Sequence, residues 1–239
     1  MQGEVLRIDT TAPGKLRARL DDKIVPLYPQ AEGSAGLVPA PVDAKPGPHE
    51  VAVIDEAGKT IHSATVEIAN ARYRVQNIAA TSTMKALTAL PGEMETMKAF
   101  YELETPAKSW TEPFLAPVPD CRNSSFGVTR YHNGKPSGGY HRGLDLRSPP
   151  GRPVKAGAAG RVVVSREWRR HGGTIGIDHA QGVTSHYLHL SKLAATEGQQ
   201  VQAGDIVGYV HGVPVNPERF TRGIPLCAPP PAPKRAIKK

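Results

Sequence analysis

At 239 residues and 39% hydrophobic content, the chain is long enough for one large domain or two small ones with packed cores. Aromatic residues make up only 5%, against 24 Gly and 23 Pro, which argues for short strands and many turns and against a helical protein. The net charge of +8 is uneven: residues 1–120 carry 12 Lys/Arg and 16 Asp/Glu, residues 121–239 carry 18 and 6, so only the second half is suited to a polyanion.

The start, Met1-Gln-Gly-Glu-Val, has neither the basic residues nor the apolar stretch of a secretory signal, and no apolar run is long enough to span a bilayer. From Gly3 to Ala71 the hydrophobic period is two. Leu16, Ala18 and Leu20 alternate with Arg17 and Arg19, and Ala64, Val66 and Ile68 with Thr65 and Glu67. Val51 and Val53 alternate less clearly with Ala52 and Ile54. Asp21-Asp22, Lys45-Pro-Gly-Pro48 and Glu56-Ala-Gly58 interrupt these runs with turn chemistry. Short strands at this spacing predict an immunoglobulin-like β-sandwich over residues 1–75, with His49 and His62 as plain strand residues.

Residues 76–113 read as a helix and a Pro-containing linker. Met94, Met97, Lys98 and Tyr101 sit at helical spacing between Pro91 and Glu104, and Glu93 and Glu95 lie in the first turn, where the helix dipole favours acids. Both methionines are read as packing residues. Pro106, Pro113, Pro117 and Pro119 then punctuate an extended stretch. Cys121 and Cys227 are the only cysteines and form no C-x-x-C pair; they are two free thiols, or one bridge tying the tail to the inter-domain region.

The second domain, residues 114–221, reads as antiparallel β without a helix. Its strands are Arg161–Ser165, Thr174–Asp178, Thr184–His189 and Asp205–Val210, with turns at Gly172-Gly173, Gln181-Gly182 and Ala203-Gly204. Residues 222–239, with Ala228-Pro-Pro-Pro and Lys234-Arg-Ala-Ile-Lys-Lys239, have the composition of a disordered basic tail. No basic run is interleaved with stacking aromatics and no helix-turn-helix or zinc-finger spacing occurs, so nucleic acid is not the expected partner.

The chemistry lies between Gly138 and Val210. His141 and Asp145 are four apart, but Gly138-Gly139, Gly143 and Pro149-Pro150 place them on a loop running into a strand rather than on a helix face. A His and an Asp so spaced, followed by a third imidazole on a later strand, are the parts of a hydrolytic zinc site, which needs three protein ligands and one open position. Along residues 184–189, strand parity puts Ser185, Tyr187 and His189 on one face and Thr184, His186 and Leu188 on the other. His189 and His186 are therefore not counted as a pair.

Six segments resemble, in order, the lysostaphin-type (LytM-like) zinc endopeptidases. They are Ser125-Phe-Gly-Val-Thr-Arg-Tyr-His-Asn-Gly134, Gly139-Tyr-His-Arg-Gly-Leu-Asp145, Gly151-Arg-Pro-Val-Lys-Ala-Gly157, Ile177-Asp-His-Ala-Gln-Gly182, Tyr187-Leu-His-Leu-Ser191 and Gly198-Gln-Gln-Val-Gln-Ala-Gly-Asp-Ile-Val-Gly208. The resemblance covers most of residues 114–220. It implies a compact antiparallel β fold whose groove cleaves peptide cross-links of bacterial peptidoglycan, with zinc as cofactor and the periplasm or cell envelope as location. By residue, it implies His141 and Asp145 as zinc ligands and His189 as the imidazole that orients the attacking water or stabilises the oxyanion. His179 matches a turn position and is read as structural, while His171 and His132 receive no role. The N-terminal strands, helix and Pro-linker resemble the leader of exported two-domain members.

One departure is large. Relatives follow the Gly-Val strand with a loop and a strand bearing His-x-His, whose second His completes the zinc site and whose first assists catalysis. This chain passes directly from Ile206-Val-Gly-Tyr-Val210 to His211-Gly-Val-Pro-Val-Asn-Pro-Glu-Arg-Phe220, and it contains no His-x-His. The gap predicts an open sheet edge with unpaired neighbours, a weakened zinc site and His211 as the substitute ligand. The alternative is a non-catalytic envelope module that binds cell wall or activates another hydrolase.

Overall fold

The computed structural model describes residues 1–79, 88–111 and 113–211. The predicted tail, Cys227 and the last residues of the second domain lie outside these. The described chain is mainly β.

Seven strands fill the first part: β1 (Val5–Thr10), β2 (Leu16–Leu20), β3 (Lys23–Pro26), β4 (Tyr28–Pro29), β5 (Ser34–Pro39), β6 (Gly47–Asp55) and β7 (Thr60–Ile68). They pair into a three-stranded sheet, β1-β5-β4, and a four-stranded sheet, β3-β2-β6-β7. Leu16, Ala18 and Leu20 enter one core with Val38, Val51 and Val53, as their alternation predicts. In β6, Ala52 and Ile54 are buried as well, so both faces are covered and the alternation is blurred. β7 is an edge strand whose Ala64 stays exposed; only Ile68 is fully buried.

The connection differs from the predicted linker. β8 (Val75–Ile78) runs parallel to β10 (Thr129–His132), with Val75 opposite Thr129 and Ile78 opposite His132. Four residues carry too few periods to announce a strand. Just before it, the Tyr73 ring occupies the place a Cβ on Gly127 would take, 1.9 Å away. Residues 73–78 are thus built into the second half.

The predicted helix is present as α1 (Glu93–Tyr101). Met97 and Phe100 are buried, but Met94 is 49% exposed, which corrects its reading as a packing residue. Phe100 lies over Gly176, where a Cβ would come 2.9 Å from its ring. Cys121 is disulfide-bonded, which removes the free-thiol alternative.

The second half contains β9 (Arg122–Ser124), β10, β11 (Lys135–Tyr140), β12 (Asp145–Leu146), β13 (Pro153–Lys155), β14 (Gly160–Trp168), β15 (Gly172–Asp178), β16 (Thr184–Leu193), β17 (Gln200–Val201) and β18 (Ile206–Val210). Six of these form one antiparallel sheet in the order β13-β18-β16-β15-β14-β17. Val162, Ile175, Ile177, Tyr187 and Val207, each no more than 1% exposed, form its core. The four predicted strands are β14, β15, β16 and β18.

The gap before His211 has a smaller effect than expected. β18 has a neighbour on each side, since Leu190, Lys192 and Leu193 of β16 face Val210, Tyr209 and Gly208, while β13 takes the other edge. Only the first half of β16, Thr184–Leu188, has a single neighbour, β15, among the described residues.

Candidate active site

His141 directly follows β11 and opens the short loop into β12, and its backbone is closed by His141 N–H to Val128 O and Gly127 N–H to His141 O, at 2.8 and 2.7 Å. The side chain is buried. Its Nδ1 lies 2.9 Å from the Ser125 carbonyl and 3.2 Å from Ser124 Oγ. A carbonyl only accepts, so Nδ1 carries the proton. In the neutral ring the Nε2 lone pair then points at Asp145 Oδ1, 3.1 Å away.

Asp145 opens β12, which pairs with Ser124 of β9. Its second oxygen, Oδ2, accepts a hydrogen bond from Arg130 at 2.5 Å, leaving Oδ1 for His141. Two facing lone pairs are stable only with positive charge between them, either a proton on Nε2 or a metal ion. Zinc held at about 2.0–2.1 Å from nitrogen and about 2.0–2.2 Å from oxygen separates two ligands by about 3.3 Å at a tetrahedral angle. The pair therefore fits two positions of a zinc site. Among the described residues no third His, Cys, Asp or Glu joins them as a metal-holding group. His211 follows β18 and is exposed.

His189 sits opposite β15 at a bulge. Ile175 faces Tyr187 and Gly173 faces Leu190, so β16 carries one extra residue there, and His189 adopts φ 54. The strand-parity expectation fails at this point. Ser185, Tyr187 and then Leu190 are buried, so the alternation shifts by one after Tyr187. His189 does not share the inward series with Tyr187, and both His186 and His189 lie within the field of His171. Burial chiefly, then His171, lowers the His189 pKa; Asp145 opposes this and His211 adds to it. His189 thus feels the charge of both Asp145 and His211.

The remaining histidines separate cleanly. His179 is fully buried, with Nδ1 donating to Ala159 O at 2.7 Å and Nε2 at 2.8 Å from Ser185 Oγ; it is structural. His186 lies against Tyr101 and Phe100, and burial, then His171, pushes its pKa down to about 4. His171, unassigned from sequence, is bonded to Glu93 of α1, with Nδ1 2.5 Å from Oε1. Glu93 is 0% exposed. The first-turn reading of Glu93 missed this, because nothing local links positions 93 and 171. Burial alone would raise its pKa, but hydrogen bonds from the Leu90 N–H and from His171 outweigh it and lower it.

Beside the site, a cleft of about 550 Å³ separates the two halves of the chain. Leu37, Pro39 and Pro41 line it from the first half, and Phe126, Arg142 and His186 from the second. It runs along the half of β16 that has one neighbour.

Residues 139–216 match Peptidase family M23. The peptidoglycan DD-endopeptidase ShyA of Vibrio cholerae is 32% identical over 112 residues, 44% of this chain and 26% of that protein. Lysostaphin of Staphylococcus staphylolyticus is 40% identical over 76 residues, 30% of this chain and 16% of that protein. The matches thus span about a quarter or less of these relatives. A crystal structure of a Pseudomonas aeruginosa protein assigned to peptidase M23 has 25% identity and a TM-score of 0.65, covering 90% of this chain and 86% of that one. The His141–Asp145 loop and the β16 segment around His189 both fall inside the matched region, and it is this segment of the chain that is similar to the lysostaphin-type, LytM-like peptidases of family M23.

Proposed function

We propose that this chain is a peptidoglycan-directed zinc endopeptidase of the cell envelope in which the metal site is reduced to two firm ligands. The observation that carries the reading is the convergence of His141 Nε2 on Asp145 Oδ1 at 3.1 Å, with Nδ1 already committed to the Ser125 carbonyl. His141 and Asp145 would hold zinc, which when bound polarises a peptide carbonyl and acidifies water. Arg130 holds Asp145 Oδ2, so the carboxylate presents one oxygen. His189, kept neutral by burial and by its neighbours, takes a proton from the attacking water or donates a hydrogen bond to the developing oxyanion. The apolar cleft with Arg142 at its wall accommodates a peptide strand carrying a carboxylate. His211, which follows β18 directly, is the substitute third ligand.

The test is zinc stoichiometry of the purified chain beside a muropeptide digestion. A sub-stoichiometric, weakly held zinc with slow cleavage supports the reading. One tightly held zinc with cleavage abolished by His211→Ala would make His211 a full ligand and overturn the impairment. Salt-sensitive binding to wall sacculi with neither zinc nor cleavage would leave the non-catalytic envelope module.

A further inference from the structure

We propose that Glu93, on the connecting helix α1, is a positioning residue for His189 and acts through His171. The inference rests on the reading of His189 as the groove imidazole. Glu93 is completely covered, and its carboxylate accepts from His171 Nδ1 at 2.5 Å, from the His171 N–H at 3.2 Å and from the Leu90 N–H at 2.8 Å. A buried carboxylate is costly unless its oxygens are satisfied. The helix dipole does not require that burial, because Glu95 serves it from the exposed side of the same turn.

What Glu93 holds is the support of His189. The His171 carbonyl accepts the His189 N–H at 2.9 Å. The next residue, Gly172, has φ 64, and a Cβ there would lie 3.2 Å from His189 Cα and 3.4 Å from its Nδ1. The backbone at His171–Gly172 therefore holds the His189 amide directly, and the missing side chain at Gly172 leaves the space beside the imidazole. His189 itself is a non-glycine residue at φ 54, a conformation that persists only where the surroundings impose it. The chain of contacts runs from the helix carboxylate to the His171 ring and amide, through the His171 carbonyl, to the His189 backbone.

The experiment is residue-resolved amide exchange and imidazole ¹⁵N NMR on the full chain, comparing wild type with Glu93→Ala, Glu93→Gln and the control Glu95→Ala. Glu93→Ala should speed exchange at the His189 N–H by about tenfold and shift its ring nitrogens, with Val162 and Ile175 unchanged. Glu93→Gln keeps an acceptor for His171 and should restore most of the protection; Glu95→Ala should behave as wild type. If Glu93→Ala does not fold, His171→Ala, which removes the ring but keeps the carbonyl, carries the same expectation. Faster exchange confined to Met97 and Phe100, or spread evenly over the sheet, would make Glu93 a plain helix anchor and overturn the proposal. Zinc content and cleavage are measured on the same samples. Their absence with His189 still dependent on Glu93 counts against the enzymatic reading alone, whereas an indifferent His189 in a zinc-binding, cleaving chain counts against this proposal alone.

Discussion

The two sides of the candidate site are held in different ways. His141 and Asp145 are fixed by neighbours within about twenty residues of sequence: Ser124, Ser125, Val128 and Arg130. His189 is fixed by His171, and His171 by Glu93, which is 78 residues away on the connecting helix. A metal-ligand pair assembled from one loop and two short strands is written in a local motif. An imidazole placed by a bulge and a buried carboxylate depends on how the helix docks.

The largest effect expected on the metal side comes from restoring what is missing. Inserting a family-like His-x-His strand between Val210 and His211 should raise zinc affinity by about 100-fold or more. Structural zinc binding of about 10–16 kcal/mol is shared over four ligands, about 3 kcal/mol each. Chelator competition measures it, and an unchanged affinity would mean that the site was already complete.

The imidazole side should show itself in acid. His186 is half-buried against Phe100 and Tyr101, and desolvation lowers its pKa from 6.5 to about 4. The unfolded chain binds this proton first as pH falls, so stability is complete above about pH 6.5 and declines toward pH 4. The loss is on the order of 1–3 kcal/mol. Thermal melts from pH 7 to 4 on wild type and His186→Phe should differ in slope, the variant being flatter. Equal slopes would place the acid-sensitive group elsewhere.

Gly172→Ala tests the same side more gently. It forces a side chain at φ 64 and crowds His189, at a cost of about 1–2 kcal/mol. Denaturant midpoints should fall, while zinc affinity stays at the wild-type value, because His141 and Asp145 do not lean on Gly172. A matching fall in zinc affinity would show that the two sides are coupled.

The smallest effect belongs to Ser124→Ala. Ser124 Oγ lies 3.2 Å from His141 Nδ1 and donates to Gln76 Oε1 at 3.0 Å. Its loss should cost about 0.5–1.5 kcal/mol, with a modest drop in zinc affinity. The Gln76 contact also means that a chain beginning at Pro113 lacks both β8 and a support of His141, so the second half is better delimited from Tyr73.

The β character, the strands β2, β14, β15, β16 and β18, the helix and the His141–Asp145 pair were legible in the residues alone. Alternation, turn residues and a short motif are properties of neighbouring residues, and they survive in any packing that keeps those neighbours together. The parallel pairing of β8 with β10, the direct contact of β16 with β18 across the gap, the bulge at His189 and the burial of Glu93 against His171 arise from long-range packing instead. Parity carries a side chain along a strand only while the ladder is regular. One residue at φ 54 shifts the alternation for every residue after it. A carboxylate at residue 93 reads as a surface acid until its partner, 78 positions on, is folded against it.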